Sequence, residues 1–115
     1  MNKSINKLPS WYWEKGLHDA VVLKSQIINF NEGEPFKNCL ILEIDASHAM
    51  FDTSVKTIKF YNFTINYNVS LDYIWWLGDE LEVLSPNSYK LTLNFGNFLD
   101  DNSLVICFEH AEVER

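Results

Sequence analysis

A mainly β chain is expected from this sequence: an antiparallel sheet or β-sandwich of about six strands with one or two short helices. Three observations carry that expectation. Apolar and polar residues alternate with a period of two over much of the chain, as in Leu40–Asp45 and Tyr89–Phe95. The polar turns between such stretches are short, which forces neighbouring strands to run antiparallel. Aromatic residues make up 15% of the chain, and their rings favour half-buried pleated surfaces. The 115 residues fit a single domain, 1–115, able to hold a core without disulfide or metal staples. Strands do not alternate with helical stretches, which disfavours a doubly wound parallel sheet.

The elements follow in order. Trp11–Gly16 lacks alternation and reads as a short helical turn closed by Gly16, with its tryptophans lying across the edge of the core. Ala20–Phe30, rich in Val and Ile, is the first strand, and Asn31-Glu32-Gly33-Glu34-Pro35 turns the chain back. Phe36–Ala46 is its hairpin partner: Leu40, Leu42 and Ile44 face the core, while Ile41, Glu43 and Asp45 face away. Ser47–Ser54 is a polar loop. Val55–Tyr67 is a strand whose apolar phase changes. Ile58 and Phe60 share one parity and Tyr61, Phe63, Ile65 and Tyr67 the other, which a bulge near Phe60–Tyr61 would reconcile. A break at Ser70 opens a short helix, Leu71–Leu77, with Ser70 as N-cap, Asp72 in the first turn and Gly78 at its end. Glu80–Leu84 and Tyr89–Phe95 are strands joined by the Ser85-Pro86-Asn87-Ser88 turn. Gly96–Ser103 is a polar loop, and Leu104–Glu112 is the closing strand, apolar enough near its middle to be covered on both faces.

Charge narrows the partners. The chain holds 16 acidic and 9 basic residues, a net charge of −7. Phosphate neutralisation needs a basic surface, so neither nucleic acid nor an anionic membrane is an expected partner. A basic protein suits the surface through electrostatic steering. Met1–Lys7 is followed by no apolar signal segment, and no apolar run is long enough to span a bilayer, so a cytoplasmic protein is the default expectation. Cys39 and Cys107 sit inside apolar stretches and read as buried thiols, with one cross-strand disulfide as the alternative.

Catalytic signatures are missing. The three histidines, His18, His48 and His110, have no spacing that requires a shared metal, and each reads as a surface or capping residue. Ser88, Ser103 and Cys107 stand in no nucleophile motif, and the 4 glycines form no phosphate loop. Asp79-Glu80 and Asp100-Asp101 are adjacent in sequence, but strand neighbours point to opposite faces, so neither is a catalytic pair. No catalytic residue, metal or cofactor is expected. The tryptophans are more informative: Trp13 and Trp76 read as core, and Trp11 and Trp75 as partly exposed anchors of an interface. With the acid pair that follows the second tryptophan cluster, the expected binding residues are Trp11, Trp75, Asp79 and Glu80.

Two stretches, taken together, carry a family resemblance. One is Trp13-Glu14-Lys15-Gly16-Leu17-His18-Asp19-Ala20, leading into an apolar strand. The other is Trp75-Trp76-Leu77-Gly78-Asp79-Glu80-Leu81, followed by Tyr89–Leu93 and the closing Leu104–Val113. The arrangement resembles a group of small, mostly uncharacterised bacterial β-rich proteins with a Leu-His-Asp-Ala motif ahead of the first strand. Some of these look like immunity proteins of polymorphic toxin systems. The resemblance implies a β-rich fold, no catalytic residues, and neutralisation of a cognate toxin by binding. In physical terms Leu17 would pack under the sheet while His18 and Asp19 bond backbone groups at the start of the strand. The expected function is therefore non-enzymatic protein binding. The alternative is a small-ligand binder with an apolar pocket between the sheet and the short helix. An exposed edge strand could also pair two copies into a homodimer.

Overall fold

The structure is a computed structural model that describes residues 8–14, 16–66, 70–96 and 101–115, the side chain of Asp101 excepted. Eight strands follow the N-terminal segment: β1 Val21–Asn29, β2 Asn38–Asp45, β3 Thr57–Tyr61, β4 Thr64–Ile65, β5 Trp75–Ser85, β6 Ser88–Gly96, β7 Asp101–Phe108 and β8 His110–Glu114. They form one antiparallel sheet in the order β4-β7-β6-β5-β1-β2-β3-β8. The two ends of that order belong together. Tyr61 faces His110 in the β3–β8 ladder, and three residues further along each chain Thr64 faces Cys107 in the β4–β7 ladder. The register is thus continuous, and β3–β4 and β7–β8 are two long partners kinked at the same level. The pairing circuit closes through β1 and β5, which meet at Val21 and Trp75.

The kink is built from polar side chains. Asn62 adopts φ 53°, a left-handed conformation that asparagine tolerates better than most residues. Its amide donates to Glu109 Oε1 at 2.9 Å, its Oδ1 accepts from Lys37 N at 2.7 Å, and Glu109 N donates to Tyr61 O at 3.0 Å. Both strands change phase here: Ile58 and Phe60 point inward before it and Phe63 after it, while the partner turns in Phe108 and then Ala111. The expected phase change is real, but a left-handed asparagine makes it, not a bulge at Phe60–Tyr61. Because each long strand is divided this way, the sheet has eight strands and not about six.

Register shifts in β1 and β5 set the rest. In β1 the register shifts between Val22 and Lys24 against β2, and in β5 between Trp76 and Gly78 and again between Val83 and Ser85 against β6. An extra residue in a strand reverses which face its later side chains meet. Beyond Leu77, Asp79 therefore turns inward and Glu80 outward. One continuous core fills the interior, with Trp76, Phe60, Phe95, Leu17, Leu42 and Ile58 among its fully buried side chains.

Several expectations are corrected. Among the described residues there is no helix. Leu71–Leu77 forms a turn and then the start of β5. Ser70 Oγ does accept from Asp72 N at 3.1 Å, as a capping serine would. The chain leaves the helical path because Val22 N donates to Ile74 O and Trp76 N to Ala20 O, and a one-turn helix is too weak to compete with such pairing. The described residues of Trp11–Gly16 likewise form turns and no helix. Gly16 is no helix cap but a point of close approach, where a Cβ would stand 2.7 Å from Asp52 Cβ and 2.8 Å from Trp13 O. The expected loop at Gly96–Ser103 is shorter, since β6 runs to Gly96 and β7 starts at Asp101. The closing strand is divided at Glu109, and Val105 and Cys107 are only half-buried, so its middle is covered on one face. Residues 97–100, the Tyr67 end of the third expected strand and Met1–Lys7 lie outside the described residues. Cys39 is buried, Cys107 half-buried, and both are free thiols, so no disulfide joins them.

Candidate functional site

Asp79 is the only charged side chain buried among the described residues, at 6% exposure. No Lys or Arg pairs with it there. Its carboxylate is held by three neutral donors from two parts of the chain. Oδ2 accepts from the Trp13 indole at 2.7 Å and the Trp76 indole at 2.8 Å, and Oδ1 accepts from the Tyr12 hydroxyl. Hydrogen bonds to an ionised acceptor are roughly twice as strong as neutral ones, and a carboxylate in an aromatic shell requires them. The sequence folds this way because the N-terminal Trp11-Tyr12-Trp13 segment crosses the end of the core. Trp13 meets Trp76 edge-on at 5.5 Å, while Trp11 meets Tyr89 at 5.5 Å and Phe108 at 5.8 Å. Burial, and then the bond to Asp79, holds the Tyr12 phenol well above its ordinary value.

A cleft of about 330 Å³ opens beside this cluster, lined by Leu8, Tyr12, Glu14, Asp79, Glu80 and Leu81. Glu14 and Glu80 are exposed at its walls. Among the described residues no basic residue, serine or cysteine lines it. Two leucines and a phenol provide apolar wall, and the charge that the described residues bring is that of carboxylates. Chemically the cleft can receive a cationic group with an apolar stem, as a lysine or arginine side chain has. Among the described residues it offers no nucleophile with an adjacent base.

A second exposed surface lies around the start of β5. Trp75 is 52% exposed, and its indole donates to Asp19 Oδ1 at 3.1 Å. His18 donates a ring N–H to Leu77 O, and its backbone O accepts from Met50 N at 2.8 Å. The Leu17-His18-Asp19-Ala20 stretch is thus a strap between β5 and the Met50–Phe51 loop, with Leu17 and Ala20 fully buried beneath. Asp19 reaches a side chain there, whereas His18 does bond a backbone carbonyl. Exposed Met50, Phe51 and Tyr73 flank the strap, and Asp19 and Tyr73 both hold left-handed backbone, φ 77° and 64°. Such strain in a bulky residue concentrates at functional surfaces.

The four expected binding residues are therefore divided. Asp79 and Glu80 line the cleft, with Asp79 buried beneath it. Trp11 is half-buried and wedges the N-terminal segment onto Tyr89 and Phe108. Trp75 stands on the other surface, four residues and about 13 Å from Asp79 along the strand. Tyr12, Glu14, Tyr73 and Phe51 were not expected; only the Trp-Tyr-Trp run marks any of them in the sequence. The histidines do not converge. His18 lies on the strap, His48 in a turn, and His110 stacks on Phe36 at 5.6 Å beside Glu112. Among the described residues no group of three or more His, Cys, Asp or Glu is placed to hold a metal ion. No helix among them is long and apolar enough to cross a membrane. Comparison with known proteins finds no matching family model, no matching curated protein and no matching solved structure.

Proposed function

We propose that this chain is a non-enzymatic binding module for a basic protein, with a role like that of a toxin-neutralising immunity protein. The observation that carries the reading is the cleft beside Asp79: Glu14 and Glu80 flank an aromatic and leucine wall, and among the described residues no cation lines it. In a chain of net charge −7 such a cleft attracts a lysine or arginine from a partner and orients it. The exposed Trp75, Tyr73 and Phe51 offer the aromatic anchors such interfaces use. The test is co-expression with candidate basic toxins, beginning with any that a neighbouring gene encodes, with growth as the readout, and calorimetry on the purified pair. Wild type should protect, and the Glu14→Lys, Glu80→Lys double variant should bind about tenfold more weakly or worse. Failure of the folded wild type to bind or protect overturns the proposal.

A second reading is small-ligand binding. The cleft volume, about 330 Å³, lies at the lower end of the range for ligand pockets. Its place differs from the expected one, since the N-terminal segment and β5 form it and not a helix. Thermal stabilisation by alkylamines, without affinity for any basic protein, would favour this reading over the first.

A further inference from the structure

The β1 strand leaves β5 after its first residues, and what it exposes there is a row of backbone groups. Ala20 and Val22 direct their backbone groups toward β5, with Trp76 N donating to Ala20 O, Val22 N to Ile74 O and Tyr73 N to Val22 O. The bulge between Val22 and Lys24 changes the parity. Beyond it Phe30 N bonds Lys37 O across the hairpin, so the even-numbered residues bond β2 and Ser25, Ile27 and Asn29 turn their backbone groups outward. Ser25 N is taken by Asp72 Oδ1 at 2.7 Å. Among the described residues nothing bonds the outward groups of Ile27 and Asn29. Ile27 also pairs with Leu40, whose side chain is in the core, so its own side chain lies on the core face of the sheet. It is nevertheless 56% exposed, because no strand of the described residues lies alongside.

We infer that this edge pairs with the same edge of a second copy of the chain. In an antiparallel arrangement centred on Ile27, that residue exchanges both hydrogen bonds with Ile27 of the second copy. Asn29 of the copy then faces Ser25 and takes the place of the Asp72 carboxylate, which has to swing off Ser25 N for this outer pair to close. The charges fit this occupant. Val21–Asn29 itself contains no acidic residue and a single Lys, Lys24, which offsets the Asp72 carboxylate seated on Ser25, so this edge carries no net charge in a chain of net charge −7. The β8 strand, at the end of the pairing order, fits it poorly: Glu112 and Glu114 would bring carboxylates of two copies face to face. The inference does not depend on the cleft. Its salt dependence is opposite too, because two acidic copies repel at a distance and added salt should tighten the dimer, whereas it weakens capture of a basic partner.

The test is sedimentation equilibrium of the full chain over a wide concentration series, with Ile27→Pro and Ile27→Lys beside it. Proline at an outward N–H leaves the β1–β2 ladder intact but blocks a new strand. Lysine places like charges at the dimer centre and serves if the proline form does not fold. The expected result is a wild-type dimer that salt strengthens, its loss in either folded variant, and concentration-dependent protection of the Ile27 and Asn29 amides in hydrogen exchange. A wild type that stays monomeric at every concentration, or a dimer that persists in a folded Ile27 variant, overturns the inference. So does a wild type that takes up a strand of another protein at this edge while remaining monomeric alone.

Discussion

Replacing Asp79 by leucine removes one side chain and strands three donors. Leucine repeats the branching of aspartate with bulkier methyl groups, so no cavity forms and the cost comes from lost hydrogen bonds, with crowding added to it. The indole N–H groups of Trp13 and Trp76 lose acceptors at 2.7 and 2.8 Å in a buried setting. The Tyr12 hydroxyl loses its acceptor as well, but it borders the cleft and can turn toward water. A buried donor left without a partner costs about 1–3 kcal/mol, so with Tyr12 at the low end the three together give about 3–7 kcal/mol. Against a total stability of about 5–15 kcal/mol, that is a large share. Asp79→Asn is the informative contrast. Its carbonyl oxygen can still accept from both indoles and its amide can donate to the Tyr12 oxygen, so only the ionic strengthening is lost, about 1–2 kcal/mol. Urea unfolding followed by tryptophan fluorescence reads the difference directly, since Trp13 and Trp76 are the groups affected. With a slope of about 2 kcal/mol per molar, the leucine variant should unfold about 1.5–3.5 M earlier than wild type and the asparagine variant less than about 1 M earlier. A leucine variant within about 0.5 kcal/mol of wild type would refute the reasoning, as would an asparagine variant that costs as much as the leucine one.

Two further outcomes test the surroundings of the site. Gly16→Ala should destabilise by about 1–3 kcal/mol in the same urea assay, because a Cβ there meets Asp52 Cβ and Trp13 O at under 3 Å; an unchanged midpoint would mean that the strap and the Asp52 loop can separate freely. Tyr12 has its folded-state pKa raised above the ordinary 10.0, so its contribution is fully present below pH 10 and is lost as pH rises beyond it. Wild type should therefore lose stability above pH 10 more steeply than Tyr12→Phe, and while both remain folded they should develop the same phenolate absorbance at 295 nm; an extra phenolate in folded wild type would contradict the placement of Tyr12.

Much of the architecture was legible because strand periodicity is local. The alternation of Leu40, Leu42 and Ile44, and of Leu91, Leu93 and Phe95, is enough to place those side chains in the core, where they are buried. The Ser85–Ser88 turn and the phase change after Phe60 could be read for the same reason. The N-cap chemistry of Ser70 was also read correctly, but as the start of a helix. The local bond forms, yet backbone partners distant in sequence, Ala20 and Val22, decide that the following residues extend. Local propensity cannot anticipate that competition.

The sequence by itself determined an acidic, mainly β, antiparallel chain with Trp13 and Trp76 in its core. Only the tertiary structure decided what Asp79 does. In a strand with unbroken alternation Asp79 would share the outward face with Trp75, and Glu80 would lie with Trp76 on the inner one. The extra residue at Leu77, fixed by pairing with β6, reverses that parity and delivers the carboxylate to the Tyr12, Trp13 and Trp76 donors. A bulge is a property of two strands in register, and one strand's sequence does not contain it.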